Sequence, residues 1–158
     1  MSQLLVACSV WLHGLASIVF IGHYVLLSVI YLPALDEVPE NPRGESIRAI
    51  SRRSRNWLYA GLLVFAATGT HLMLVDPGYS GFGNFFGNTW SILMSVKHLL
   101  VAGMIGMGFW FNGILRVGPM TSANTGSREA TNRFRRHANT MAICGVVVLL
   151  LTAVAQGY

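Results

Sequence analysis

Four stretches of the chain are almost entirely apolar, and polar segments separate them. They cover about Leu4 to Leu35, Trp57 to Val75, Trp90 to Leu115 and, once its start is placed near Phe134, Phe134 to Val154. A helix rises about 1.5 Å per residue, so roughly 20 residues cross about 30 Å of hydrocarbon. The pattern therefore predicts four transmembrane helices.

Composition and loop lengths extend this prediction to an architecture. Hydrophobic residues make up 53% of the chain and charged residues 11%, whereas a soluble domain carries about 25% charged residues. Short connections place successive spans side by side in opposite directions. We expect an all-α, antiparallel four-helix bundle formed by one domain over residues 1–158. Small residues predict where helices approach closely in lipid: Gly14, Ser17, Ala66, Ala67, Gly69, Ala102, Gly103 and Gly106.

The net charge of +5 does not indicate nucleic-acid binding, because most arginines lie in two connections. Five lie between the first and second stretches and four between the third and fourth: Arg43, Arg48, Arg52, Arg53, Arg55, and Arg128, Arg133, Arg135, Arg136. Basic connections stay in the cytoplasm of bacteria. We predict a multi-pass protein of the bacterial inner membrane with both termini outside, and with the arginines contacting anionic lipid.

Three histidines lie inside three different spans at similar depth. Helix rise places His13 about 13 Å, His71 about 6 Å and His98 about 10 Å from the same membrane face. Ionisable groups at such depths are costly unless they are paired or coordinated. Imidazole is a standard axial ligand of haem iron. We therefore predict one haem b, held by His13 and either His71 or His98.

Two other basic residues could take part in cofactor binding. Lys97 is predicted either to reach the membrane surface with its charged end or to pair with a haem propionate. His23 lies about 15 Å deeper than His13 and is a weak candidate for a second haem site with His137. The simpler interpretation of His137 is a surface residue, since it follows two arginines.

Copper is the alternative cofactor. Six side chains of the outer layer offer sulfur or imidazole: Cys8, His13, His71, Met73, Met94 and His98. Soft sulfur ligands suit Cu(I). No Met-x-x-Met or Cys-x-x-Cys spacing concentrates these residues, and the pattern favours haem over copper.

Several of these positions carry a resemblance to a known family. The chain resembles the copper resistance protein D (CopD) family in the order of its features: His13, an arginine-rich entry to the second helix, Thr68-Gly69-Thr70-His71-Leu72, Lys97, Asn112, Arg116 and Pro119. This resemblance implies copper handling or a b-type cytochrome.

The chain is also similar to the HemJ-type protoporphyrinogen oxidases, which are four-helix haem-b proteins. The similar positions are His13, Tyr31-Leu32-Pro33, Trp90 and Lys97. Ala34, Gly108 and Thr140 stand where that family has Arg, His and Glu. The loss of these polar groups counts against oxidase activity and is compatible with a bound haem.

The function expected from the sequence is electron transfer by a b-type haem protein at the outer face. Its partner would be a quinol or a periplasmic electron carrier, docking at the aromatic loop Tyr79 to Phe86. Whether the protein is an oxidoreductase enzyme stays open. The alternatives are copper transport or binding, a protoporphyrinogen oxidase-like role in haem biosynthesis, and a small structural subunit among other membrane subunits.

Overall fold

The computed structural model describes residues 3–77, 89–114 and 128–156, and nearly all of these are helical. The elements are α1 (Gln3–Leu26), a π-helical turn (Leu27–Tyr31), α2 (Leu32–Asp36), α3 (Glu40–Val75), α4 (Thr89–Ile114) and α5 (Arg128–Ala155). The described residues contain no strand. The all-α prediction is confirmed.

Four helical segments are long and apolar enough to cross a membrane. They are Gln3–Asp36, Pro42–Val75, Thr89–Trp110 and Thr131–Ala155. Large apolar side chains point outward from several of them; Ile18, Leu63 and Leu99 are each more than 70% exposed. Such surfaces are stable in contact with lipid chains. The chain is therefore a multi-pass membrane protein embedded in the bilayer, and which face lies outside stays a prediction.

Neighbouring helices run in opposite directions. Val19 of α1 lies against Gly61 of α3, and Ile21 of α1 lies against Gly145 of α5. Within the described ranges, the closely packed helix pairs are α1 with α3, α1 with α5, and α4 with α5. We call the end of the bundle that holds Gln3 and Ala155 the terminal end, and the opposite end the arginine end.

The first span contains a π-helical turn just before a proline. The backbone N–H of Leu32 bonds to the carbonyl of Leu27, five residues back. Pro33 has no N–H, and its ring clashes with the carbonyl four residues back in a regular α-helix. The wider turn accommodates that ring, as π-helical segments commonly do inside longer helices.

The tightly packed core lies toward the arginine end. Ala16 is the buried residue of α1 nearest the terminal end. The main cluster is contributed by all four spans: Phe20, Ile21, Tyr24, Leu27, Leu32, Ile47, Met104, Phe134, Ala138, Met141, Ala142 and Val148. Toward the terminal end fewer described residues are buried, among them Thr68, Ser91 and Ala155.

The predicted close approaches of small residues are only partly correct. A Cβ added to Gly69 would lie 3.0 Å from Cε1 of His13, so this glycine does permit a close contact. Among the described residues, nothing lies within 4 Å of a Cβ added to Gly14, Gly103 or Gly106, so the prediction is wrong for these three. The closest approach is at Gly145, which the sequence analysis did not select.

Two helices begin earlier than their apolar stretches. The second long helix starts at Glu40 rather than Trp57, and α5 starts at Arg128 rather than Phe134. Pro42 does not break α3, because the N–H groups of a helix's first turn have no intrahelical partner. The linker between the first two spans is consequently very short.

Arginine side chains from α3 and from α5 form hydrogen bonds to that linker and to the residue before it. The guanidinium of Arg43 donates to the carbonyls of Asp36 and Val38 at 3.0 Å each. Arg135 of α5 donates to both carboxylate oxygens of Asp36. The first span is thus tied to α3 and α5 at the arginine end.

Candidate metal centre

His13 is held in one orientation by a hydroxyl group of α3. Its Nδ1 lies 3.0 Å from Oγ1 of Thr68, and that hydroxyl donates its own hydrogen to the carbonyl of Val64 at 2.6 Å. Because the hydroxyl has one hydrogen, it must accept from Nδ1–H of His13. In the neutral ring, Nε2 of His13 therefore carries a free lone pair.

The two neighbours of Thr68 on α3 shape the rest of the His13 environment. Phe65 stacks on the imidazole with ring centroids 4.3 Å apart and planes inclined by 25°. Gly69 lies against the ring edge, where any larger residue would displace it. The ring is thus fixed by stacking, by a hydrogen bond and by a close backbone approach.

His98 has an equivalent arrangement within α4. Its Nδ1 lies 2.7 Å from the carbonyl oxygen of Met94, one turn earlier. A carbonyl only accepts, so Nδ1 of His98 is the donor and Nε2 is again the free nitrogen of the neutral ring. The side chain is exposed at the surface of the bundle.

Lys97 interacts electrostatically with His13 and with an acidic residue. The Lys97 ammonium and the His98 ring are both close enough to interact electrostatically with His13. The carboxylate of Asp76, just after α3, interacts with the ammonium of Lys97. Asp76 therefore adds a negative charge within electrostatic range of Lys97.

His71 lies one turn beyond Thr68, nearer the terminal end. Both of its ring nitrogens are buried, and neither has a hydrogen-bond partner among the described residues. A buried polar atom without a partner costs about 1–3 kcal/mol. A ligand that bonds to this ring would remove that cost.

Lys97 and His98 lie within electrostatic range of His13, but the structure does not assemble the predicted ligands into one group. In the parts of the chain that are described, no three His, Cys, Asp or Glu side chains are grouped closely enough to hold a metal ion. Cys8 is exposed and Cys144 half-buried, and both are free thiols. The six-residue copper set does not form one cluster, and a site here would use two histidines.

His23 belongs to a separate layer toward the arginine end. Its ring packs edge-to-face on Tyr24 with centroids 5.3 Å apart, and His137 of α5 packs on the same Tyr24 at 6.0 Å. The interpretation of His137 as a surface residue is wrong, because the side chain is half-buried in this contact. A second haem here stays a prediction.

The residues that orient His13 were not among the predicted site residues. Thr68 entered the prediction only through the family resemblance, and Phe65 had no predicted role. Both lie on the His13-facing side of α3, and their spacing of three residues was the available signal.

Other predicted features, namely the loop Tyr79 to Phe86, Arg116 and Pro119, lie outside the described residues. Asn112 lies on α4, and its side chain is not described.

Comparisons with known proteins gave one result. The family described as copper resistance protein D matches residues 48–155, which include most of α3 and all of α4 and α5. Comparisons with curated proteins and with solved structures gave no match.

Proposed function

Because the chain belongs to the copper resistance protein D family, we propose that it binds copper within the membrane through His13 and His98. Copper is the cargo in this proposal, and the two free Nε2 atoms are its ligands. The arginine distribution favours an orientation with the terminal end outside. Copper would then be held in the outer half of the bacterial inner membrane.

The observation that carries this proposal is the fixed tautomer of His13. Metal-binding histidines almost always donate their second ring N–H to a nearby acceptor, which orients the ring and raises its basicity. Thr68 provides that acceptor for His13, and the Met94 carbonyl provides it for His98. Imidazole nitrogen is a suitable ligand for copper.

Local charge is compatible with a monovalent cation. Lys97 alone would repel copper from His13, since like charges in a low-dielectric site interact strongly. Asp76 offsets the lysine charge. Two neutral imidazoles would then bind Cu(I) without a large net positive charge in the site.

The test is a competition titration of purified protein with a Cu(I) chelator. We expect His13→Ala and His98→Ala each to weaken copper binding by more than the roughly 10–100-fold seen when a supporting residue of a metal site is lost. His137→Ala is the matched control, because this histidine is half-buried in the other layer, and it should bind copper like the wild type. If His13→Ala and His98→Ala bind copper as tightly as the wild type and His137→Ala do, the proposal is overturned.

A second candidate function, electron transfer by a bound haem b, is favoured by a different observation. Within the described residues, α3 and α4 do not pack closely, and His71 on α3 has two buried nitrogens without partners. These features fit a flat ligand between the two helices. His13 with His71 or His98 would hold the iron, and Lys97 would pair with a propionate.

A haem would supply one-electron chemistry, with a quinol or a periplasmic carrier as partner. Purified protein from haem-replete cells should then show a Soret band and a positive pyridine haemochrome assay. Reduction by a quinol analogue would support the electron-transfer role. Absence of the haem signal together with stoichiometric copper would favour the copper proposal and leave no role for the haem.

A further inference from the structure

Helix α3 is much longer than a bilayer requires. Its 36 residues correspond to about 54 Å at 1.5 Å per residue, and the apolar part from Trp57 to Val75 alone spans nearly 30 Å. Trp57 is 72% exposed, as expected for an aromatic residue at the membrane boundary. The part of α3 before Trp57 therefore reaches the headgroup region and extends beyond it.

Three arginines lie directly at that boundary and point away from the bundle. Arg52, Arg53 and Arg55 are all exposed. Ile47 and Leu58 pack against the core and define the inner face of this part of α3. With 3.6 residues per turn, Arg52 falls opposite that face, and Arg53 and Arg55 lie on either side of Arg52. We call these three residues the arginine band.

Charge is segregated along the same helix. The acidic residues Glu40 and Glu45 precede the arginine band and lie farther from Trp57. The ion pairs described at this end join Asp36 to Arg43 and Arg135, which are outside the band. Positive charge is therefore concentrated at the level of the headgroups.

We infer that the arginine band binds the phosphate groups of anionic phospholipids in the leaflet at the arginine end. The guanidinium group makes paired hydrogen bonds to phosphate oxygens, which gives it an advantage over lysine. Near a membrane surface each basic residue strengthens attraction to anionic lipid by about fivefold. This inference is independent of the metal proposed above.

The surroundings of the band favour lipid over a soluble acidic partner. Because Val19 lies against Gly61, the antiparallel register brings residues 28–30 roughly level with residues 50–52. Val29 and Ile30 at that level are 67% and 52% exposed. A phospholipid bound by the arginines would cover these apolar side chains with its glycerol and the first carbons of its acyl chains, whereas a soluble acidic partner offers no such contact.

The experiment measures the association of spin-labelled phosphatidylglycerol and phosphatidylcholine with the full-length protein in vesicles. For the wild type we expect a preference for phosphatidylglycerol of at least about fivefold at low salt. In Arg52→Gln/Arg53→Gln/Arg55→Gln the preference should fall toward one. The corresponding triple lysine variant should keep part of it, because the charge remains and the paired geometry is lost.

Glu45→Gln is the matched control, an exposed charge change on the same helix away from the boundary, and it should keep or slightly increase the preference. A helical far-ultraviolet spectrum checks that each variant is folded. An unchanged preference in the folded triple glutamine variant would overturn the inference. Equal association of the two lipids with the wild type would also overturn the inference. Capture of a soluble acidic protein by the arginine band would then identify a different partner.

Discussion

His13 on α1 donates a hydrogen bond to Thr68 on α3, and the hydroxyl of Thr68 can accept it because its own hydrogen is directed to Val64. This single contact joins two spans and sets which nitrogen of His13 is free. It connects the packing of α1 on α3 with the chemistry of the candidate site.

Replacing Thr68 by valine should therefore affect metal binding more than folding. The variant keeps the shape of the side chain and loses the acceptor, so the ring can take the other tautomer or rotate. We expect copper affinity to fall by about 10–100-fold, as for other supporting residues of metal sites. Thr70→Val, an exposed change on the same helix, should leave affinity unchanged. Chelator competition on both variants measures the difference, and equal affinities would contradict the assigned tautomer.

Lys97→Met should discriminate copper from haem. If a haem propionate pairs with Lys97, the variant should lose haem occupancy or shift its midpoint potential. If copper binds at His13, the variant should bind it equally or more tightly, because a neighbouring positive charge is removed while Asp76 remains. Metal analysis and an optical spectrum of wild type and variant are the measurements. Lower copper content in the variant, without any haem, would contradict both assignments of Lys97.

His71→Phe should stabilise the protein in its cofactor-free form. The change removes two buried nitrogens that have no partner among the described residues and keeps an aromatic ring of similar shape. We expect the free energy of unfolding to rise by about 1 kcal/mol, measured by denaturant titration in mixed micelles. If His71 also contacts the bound ligand, retention of copper or haem should fall in the same variant. A destabilised cofactor-free variant would show that the imidazole is hydrogen-bonded in the membrane.

Gly145→Ala should weaken the contact between α1 and α5. A Cβ at this position would lie 2.7 Å from Cγ2 of Ile21 and 3.4 Å from its Cβ. Overpacking of this kind costs about 1–3 kcal/mol. Gly14→Ala is the control, since its added Cβ meets nothing within 4 Å among the described residues and alanine is the better helix former. Ile21→Ala should relieve the overlap, so Gly145→Ala and Ile21→Ala together should cost less than the sum of their separate effects; purely additive effects would argue against the overlap.

The helices could be predicted from sequence because membrane thickness sets their length. Apolar stretches of the required size mark all four spans, and short connections determine their antiparallel order. The start of α3 could not be read in this way. Glu40 to Asn56 is polar, and its helical state depends on Ile47 packing in the core and on Arg43 capping the preceding turn.

The candidate site was predictable only in part, because the sequence indicates the depth of a residue but not the direction in which its side chain points. Helix rise gives depth, so His13 and His98 could be placed in one layer. Depth does not specify which neighbour faces a ring, and the Thr68 hydrogen bond depends on the rotation of α3 about its own axis. The contact of His137 with Tyr24 was hidden in the same way, because the arginines next to His137 suggested an exposed position.

The sparse contact between α3 and α4 affects how a solute could reach the layer that holds His13. Among the described residues, α3 packs mainly on α1 and α4 mainly on α5, and α3 meets α4 where the rings of Tyr59 and Phe109 stack with centroids 5.9 Å apart. A lipid-soluble solute that reached His13 between these two helices would enter from within the leaflet, on the terminal-end side of that ring contact. The rate at which the solute reaches this layer would then depend on acyl-chain order and lateral pressure as well as on solute concentration in the aqueous phase.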